Sequence, residues 1–207
     1  MTRVALVSGG KDSFYAAMLE KPLDHLVVLV YEFPRPSPHL LNLGKSLEAL
    51  RALGAPVTVA WLPRGREFQE TVKLLRFLNT SVLVAGDVYV EDHLRYMERV
   101  AAEAGAKLRE PLWGEDPEEL LYREIEAGIR AVIIGCEERL RAWLGVEIGR
   151  ENVAAFAEAA KRLGADPLGE RGEYHTLVVD SPLHEKRLEY KVVEEVTARG
   201  YRLLRLL

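Results

Sequence analysis

Short apolar runs alternate with amphipathic stretches along the first half of the chain. Four runs are predicted to be strands, at 4–7, 25–31, 57–61 and 81–85, and each is too uniformly apolar to keep one face in water. Apolar residues recur at helical spacing over 14–20, 43–53, 67–78 and 89–104, and Gly54 and Gly105 follow two of these helices as terminators. Strand alternating with helix predicts an α/β fold, with a Rossmann-like parallel sheet covered by helices on both faces.

The pattern changes after Gly105. A helix is predicted over 117–127, with Asp116 at its N-cap and Pro117 at its first position, and a buried strand over 131–135 and a helix over 151–163 follow. Alternating segments at 174–179, 187–196 and 201–207 predict strands. We therefore expect one domain at 1–108 and a smaller, mostly antiparallel α+β region at 109–207. The proline-rich segment 34–38 is predicted to be a loop after the second strand.

Composition excludes several classes of protein. The chain has 207 residues, 48% of them apolar, which suffices to fill a core without disulfides. The single cysteine, Cys136, excludes an internal disulfide, so a cytoplasmic location is the default. Because it lies in an apolar run, Cys136 is predicted to be a buried filler. No stretch has the about 18 apolar residues of a membrane span. A net charge of -4 makes nucleic acid an unlikely partner, although 186–187 and 199–205 are locally basic.

The junction between the first strand and first helix has the composition of an anion site. Gly9 and Gly10 let successive amides point at one anion, the helix adds its positive end, and Lys11 adds a full charge. The spacing is neither that of a P-loop nor Gly-x-Gly-x-x-Gly. A glycine turn before an ordinary helix is the structural alternative. The candidates for binding a phosphate are Ser8, Gly9, Gly10, Lys11, Asp12 and Ser13.

Two carboxylates near this loop are candidates for more than one role. Asp12 either caps free amides at the helix start or reaches a Mg²⁺ ion bridging the phosphates. Asp87 follows Gly86 at the end of the fourth strand, in a loop that should neighbour the first across the sheet. Asp87 is therefore a candidate metal or ribose ligand, with a helix N-cap as the alternative.

Several blocks of sequence carry a resemblance to a known family. The hexapeptide at 8–13 matches the Ser-Gly-Gly-x-Asp-Ser signature of the ATP pyrophosphatase superfamily. The other blocks are Gly-Asp-Val-Tyr-Val-Glu-Asp-His at 86–93, Glu-Pro-Leu-Trp-Gly at 110–114, Gly-Glu-Arg-Gly-Glu-Tyr-His-Thr at 169–176 and Asp-Ser-Pro at 180–182. In this order they resemble the diphthine–ammonia ligase family over residues 4 to about 184. Leu168, Arg171 and His184 depart from residues common in that family.

The resemblance implies a reaction. ATP, with Mg²⁺, would adenylate the carboxylate of diphthine on elongation factor 2, and amination would give diphthamide, AMP and pyrophosphate. Free ammonium is the expected nitrogen source, because no glutaminase-like segment is evident. The resemblance also implies an ATP-binding domain at 1–108 and substrate binding at 109–207.

Residues in the matching blocks suit this chemistry. Glu170 and Glu173 would offer carboxylates to ammonium, and His175 would move the proton released on attack. Lys11 completes the catalytic candidates. The trimethylammonium group of diphthine needs aromatic faces, for which Trp113 and Tyr174 are candidates, with a core position as the alternative for Trp113. Thr176 is a further candidate for binding the substrate. His39 and His93 are expected to be surface or loop histidines.

Two other functions stay open. One is a tRNA-modifying ligase or thiolase of the same superfamily, which the acidic balance and the lack of paired cysteines disfavour. The other is a non-catalytic regulator that binds a nucleotide as a signal. A homodimer is allowed by the sequence.

Overall fold

The computed structural model describes residues 1–31, 37–198 and 200–207. The described residues form two compact units. The first unit comprises residues from 1–8, 12–34 and 53–114, and the second comprises residues from 9–11, 35–52 and 115–207. The units therefore interleave along the chain, and the division at residue 108 stays a prediction.

The elements of the described residues run in the following order. The first part of the chain contains β1 (Thr2–Leu6), α1 (Lys11–Leu19), β2 (His25–Tyr31), α2 (Pro38–Leu41), α3 (Leu43–Leu50), β3 (Val57–Leu62), α4 (Glu67–Phe77), β4 (Thr80–Val84), α5 (Glu91–Ala104) and β5 (Lys107–Arg109). The second part contains α6 (Pro117–Glu126), β6 (Arg130–Glu137), β7 (Glu147–Ile148), α7 (Val153–Arg162), β8 (Tyr174–Asp180), β9 (Val192–Ala198) and β10 (Tyr201–Leu206). Two 3-10 helices, Arg51–Leu53 and Glu138–Trp143, complete the set.

The first unit is built on a parallel sheet of five strands in the order β3-β2-β1-β4-β5. On one face, Val4 and Leu83 pack against Leu75 of α4 and Val100 of α5. Their strand neighbours, such as Ala5, are buried as well, so both faces of the central strands are covered. The edge strand β3 differs from its prediction, because Val59 and Trp61 on it are exposed. The predicted α/β fold is confirmed, and double burial explains the uniformly apolar sequences of β1, β2 and β4.

The second unit contains an antiparallel sheet with β6 at its centre. β8 pairs with β6 from Arg130 to Cys136, β7 pairs with the first residues of β6, and β10 pairs with its last residues and with β9. Its core includes Val132, Leu177 and Leu204. The mostly antiparallel α+β character predicted for this region is confirmed, whereas the second unit is the larger of the two and not the smaller.

Two local predictions differ most clearly from the structure, and two predicted segments lie partly outside the described residues. The strand predicted at 187–196 corresponds to β9, which begins only at Val192. Leu188, which precedes it, donates its backbone N–H to the carbonyl oxygen of Val179. Residues 34–36 of the predicted loop at 34–38 lie outside the described residues, as does Arg199 of the basic segment 199–205. Pro38 starts α2 instead, with the hydroxyl of Ser37 accepting from the amide of Leu40 at 3.3 Å, because serine caps helices and proline fits their first position.

Within the described ranges, no helix is both long enough and apolar enough to cross a lipid bilayer.

Candidate active site

Two hydroxyls join the end of β1 to the start of α1 in the first unit. The amide of Ser8 donates to Oγ of Ser13 at 3.1 Å, and the two hydroxyl oxygens lie 3.2 Å apart. These bonds close the loop into a tight turn at the carboxyl end of β1. Asp12 is the second residue of α1, inside the first turn, where the positive end of the helix favours a carboxylate.

Gly9 has a conformation that only glycine adopts easily. Its φ is +92°, and a Cβ at this position would stand 2.9 Å from Cβ of Ser46. Its carbonyl accepts from the amide of Val178 at 2.9 Å. All three residues belong to the second unit, and Gly9 therefore has both a conformational and a steric reason to be glycine.

The side chain of Lys11 does not lie where the sequence predicts. Its ammonium lies 3.3 Å from Oε2 of Glu124 and 3.2 Å from the carbonyl oxygen of Leu168, and Lys11 is only 1% exposed. The sequence predicts that this charge adds to the anion site. The structure directs the ammonium into the interior of the second unit, where a buried carboxylate attracts it.

Gly86 lies next to the start of α1. A Cβ at residue 86 would stand 3.2 Å from Cα of Ser13 and 3.3 Å from the carbonyl oxygen of Asp12. The expectation that these two loops are neighbours is confirmed, because β4 pairs with β1 in the sheet.

Asp87 is held between two neighbours in the first unit. Its amide donates to Oε2 of Glu110 at 3.2 Å, and its Oδ1 lies 3.3 Å from Nδ1 of His93. His93 is exposed, as expected, yet it contacts this candidate. The alternative role of Asp87 as a helix cap is wrong, because α5 has Val90 at its N-cap.

Metal binding by protein groups alone finds no support in the described part of the chain. It contains no cluster of three or more histidine, cysteine, aspartate or glutamate residues that could hold an ion. Mg²⁺ in nucleotide sites is commonly held by one or two carboxylates together with phosphate oxygens. Asp12 and Asp87 fit that mode, and their role as ligands stays a prediction.

The loop at 166–173 is organised by two carboxylates that accept from backbone amides. Asp166 accepts from Leu168 at 3.0 Å and from Glu170 at 3.2 Å. Glu173 accepts from Asp166 at 3.3 Å and from Arg171 at 3.0 Å. Glu173 is 6% exposed, and both its oxygens are engaged by the chain. These bonds give Glu173 a structural role that differs from its predicted role as an ammonium ligand. Glu170 is half-buried, and its role as an ammonium ligand stays a prediction.

Tyr174 is a core residue in the second unit. It is 3% exposed, its hydroxyl donates to the Pro167 carbonyl at 2.6 Å, and its ring meets that of Phe156 edge-on with centroids 5.1 Å apart. The cation over its face is the ammonium of Lys11, 5.7 Å from the centroid. The predicted role in a trimethylammonium cage is at odds with this burial.

Two further candidates for binding the substrate have different surroundings. Thr176 is buried, and its hydroxyl accepts from the amide of Lys11 at 3.1 Å. Trp113 is half-buried in the turn after β5, in the first unit. Its role in binding the trimethylammonium group stays a prediction.

His39 was missed as a candidate for the site. Its ring centroid lies 5.5 Å from that of His175, edge-on, and the ring of Tyr201 lies 6.1 Å from His175 on centroids. Burial and His175 lower the pKa of His39 from 6.5 to about 3. The glycine at position 135, within a buried strand, is the signal in the sequence that another segment approaches β6 closely. A Cβ at Gly135 would stand 2.7 Å from Cγ of Pro38, the residue before His39 in α2. The expectation that His39 is a surface or loop residue is wrong.

A parallel sheet with a glycine loop at the end of its central strand is an arrangement of nucleotide-binding α/β proteins. The chain belongs to the diphthamide synthase family. The family model of the diphthamide synthase N-terminal domain matches residues 1–108, and that of the C-terminal domain matches residues 116–205.

Curated relatives agree with the family. The diphthine–ammonia ligase of Rattus norvegicus is 26% identical over 95% of this chain and 85% of its own length. The enzyme of the same name from Mus musculus is 25% identical over 91% of this chain and 82% of its own length. These matches confirm the predicted family, whose named relatives are ligases that join carbon to nitrogen, as the sequence predicts. Membership implies the use of ATP.

A solved structure from Methanocaldococcus jannaschii, described as a "predicted subunit of tRNA methyltransferase", also resembles the chain. It is 17% identical, covers 91% of this chain and 100% of its own, and gives a TM-score of 0.45. A similarity of this size supports no conclusion about function.

Proposed function

We propose that this chain is a diphthine–ammonia ligase. It uses ATP to adenylate the carboxylate of diphthine on elongation factor 2, and ammonia then displaces AMP to form the amide. The observation that carries the proposal is the glycine loop at 8–13, folded as a tight turn at the carboxyl end of β1, in a chain of the diphthamide synthase family. Elongation factor 2 is a cytosolic translation factor, so the reaction takes place in the cytoplasm.

The loop binds the pyrophosphate part of ATP. The positive end of α1 supplies positive potential without a side-chain charge, which suits an anion bound to a preformed loop. Gly86 leaves the space beside Ser13 free of a side chain. The loop residues assigned to phosphate binding are Ser8, Gly9, Gly10, Asp12 and Ser13.

Magnesium accompanies the nucleotide. Mg²⁺ in nucleotide sites is held by one or two carboxylates together with phosphate oxygens, and the ion would be held in this way here. Asp87 and Asp12 are the carboxylates assigned to it. A bound Mg²⁺ ion would supply positive charge that offsets the charge of the pyrophosphate.

The first step converts a poor electrophile into a good one. An oxygen of the diphthine carboxylate attacks the α-phosphorus of ATP, the bond to the bridging oxygen breaks, and pyrophosphate leaves with those electrons. This leaves a mixed anhydride between the carboxyl carbon and AMP. Holding the two outer phosphates in the loop leaves the α-phosphorus open to attack.

The second step needs neutral ammonia. Ammonium loses a proton to a base, ammonia attacks the carboxyl carbon, and AMP leaves as a second proton is released. His175 and Glu170 are assigned to these proton transfers. Both are half-buried, so they combine access to solvent with partial shielding. Trp113 is assigned to the trimethylammonium group.

One experiment tests the proposal. The protein is incubated with ATP, Mg²⁺, ammonium and diphthine-bearing elongation factor 2, and the nucleotide product and the mass of the modified peptide are determined. We expect AMP, pyrophosphate and an amide in equal amounts, all dependent on the acceptor. Production of ADP, or bound ATP without turnover, contradicts the proposal. AMP formation with tRNA as the acceptor instead supports the tRNA-modifying alternative.

A matched pair of glycine variants links this activity to the loop. Gly9→Ala places a Cβ against Ser46 at a positive φ and should abolish activity. Gly44→Ala is the control, because Gly44 lies in α3 with no atom within 4 Å of its Cβ position, and alanine favours a helix.

A further inference from the structure

We infer that Lys11 and Glu124 form a buried positioning pair that holds the segment 9–11 in its phosphate-binding shape, and that the ammonium of Lys11 is not itself a phosphate ligand. The inference rests on the proposed function for the identity of the anion. It assigns a role to Glu124, a residue outside the predicted site, although glutamate in a helix is ordinarily exposed.

The surroundings of the ammonium carry the first step of the argument. Lys11 and Glu124 are 1% and 0% exposed, and their charged atoms lie 3.3 Å apart. The carbonyl oxygen of Leu168 is a second acceptor at 3.2 Å, and the face of Tyr174 lies 5.7 Å away. An ammonium has three N–H donors, and the carboxylate, the carbonyl oxygen and the aromatic face together provide favourable contacts for this cation where it lies. Turning the side chain toward a phosphate would break this buried ion pair.

The backbone around Lys11 carries the second step. The amide of Lys11 donates to Oγ1 of Thr176 at 3.1 Å, and the carbonyl of Gly9 accepts from the amide of Val178 at 2.9 Å. Both partners lie on β8. The segment 9–11 is therefore fixed by its backbone at both ends and by the Lys11 side chain, all within the second unit.

This anchoring explains how a glycine-rich segment stays ordered. Glycine loses more conformational freedom than other residues on folding, so two glycines in succession need external restraint. A loop that is already held in its binding shape loses less entropy when phosphate binds. Removing either charge leaves the other buried without its partner, and the segment should then shift.

A double-mutant cycle tests the inference. Lys11→Met, Glu124→Leu and the double variant are prepared, and the dissociation constants for ATP and adenosine are measured without acceptor, at a temperature where near-UV circular dichroism shows each variant folded. Each single variant should bind ATP about tenfold or more weakly, and the double variant should recover to within about threefold of the parent, because two apolar side chains replace the pair. Adenosine binding should change little.

Two outcomes overturn the inference. If Lys11 is a phosphate ligand, the double variant stays as weak as Lys11→Met, whereas Glu124→Leu alone binds normally. If the pair serves only stability, both folded single variants bind ATP like the parent.

A milder variant keeps the test decisive when a single variant fails to fold. Glu124→Gln keeps the shape of the side chain and removes its charge, and it should weaken ATP binding about tenfold if the pair positions the loop. Unchanged binding by folded Glu124→Gln overturns the inference. Because ATP binding is measured without acceptor, a chain that binds ATP but ligates nothing would contradict the proposed function and leave this inference standing.

Discussion

Gly86 and Ser13 approach each other so closely that a side chain on residue 86 would contact backbone. A Cβ there would stand 3.2 Å from Cα of Ser13, and Ser13 in turn binds the amide of Ser8 through its hydroxyl. The loop after β4 thus supports the loop after β1. The shape of the candidate phosphate site depends on a glycine outside its own motif.

Gly86→Ala should weaken ATP binding about tenfold, because the backbone at Asp12 and Ser13 must move to admit the methyl group. The dissociation constant for ATP, measured by calorimetry, checks this. Gly44→Ala is again the matched control and should bind ATP like the parent. Normal binding by folded Gly86→Ala would show that the contact has no role in the site.

Glu173→Gln should loosen the loop at 166–173. Each carboxylate oxygen of Glu173 accepts a hydrogen bond from one backbone amide, that of Asp166 or that of Arg171. Glutamine keeps only one of these acceptors and places an NH₂ group, which is a donor, against the other backbone amide. We expect a loss of about 1–3 kcal/mol in the free energy of unfolding. Chemical denaturation measures it, and faster hydrogen exchange at these two amides locates it.

The control for this substitution is Glu185→Gln, at an exposed position, which should leave stability within about 0.5 kcal/mol of the parent. Equal effects of the two substitutions would argue against an organising role for Glu173.

His39 should make the protein less stable as the solution becomes acidic. Its folded pKa of about 3 lies below the ordinary 6.5, so the unfolded chain binds more protons between these values. Stability is therefore full above about pH 6.5 and falls as pH decreases toward 3, by up to about 1.4 kcal/mol per pH unit.

Unfolding in urea at several pH values, for the parent and His39→Gln, measures this contribution together with the coupling of His39 to His175. The difference in unfolding free energy between the two should shrink with acid. An imidazole of His39 that titrates near pH 6.5 by NMR would disprove the expected shift.

Cys136 should resist alkylation in the folded protein. It is fully buried, as the sequence predicts, and burial, with Glu138 and Glu195 nearby, raises its thiol pKa to about 12. The thiolate is the reactive form, so iodoacetamide at pH 8 should label the native protein slowly and the urea-unfolded protein rapidly. Labelling of native protein at the unfolded rate would refute this, and Cys136→Ala provides the background.

The sequence predicts the architecture well because its signals are local. Strands buried on both faces are apolar throughout, and Gly105 ends α5 with a φ of +76°, in the left-handed region. Elements as short as β5 and β7, with three and two residues, carry no periodic pattern, and they form only because neighbouring strands provide their hydrogen bonds.

The site is less predictable, since its side chains are directed by partners distant in sequence. Nothing next to Lys11 shows that its ammonium turns to Glu124. The available signal lies in α6, where Glu124 is spaced with the apolar residues Leu120 and Leu121, so a carboxylate occupies the buried stripe. Asp166, followed by Pro167, has the turn chemistry that could have revealed its role in the loop at 166–173.

The most direct test of the account follows one oxygen atom through the reaction. Diphthine-bearing elongation factor 2, with a heavy oxygen isotope in the diphthine carboxylate, is incubated with the protein, ATP, Mg²⁺ and ammonium, and the nucleotide is analysed by mass spectrometry. Attack on the α-phosphorus predicts one heavy oxygen in AMP and none in pyrophosphate. Heavy oxygen in inorganic phosphate, formed together with ADP, would show that the terminal phosphoryl group is transferred and would contradict the account.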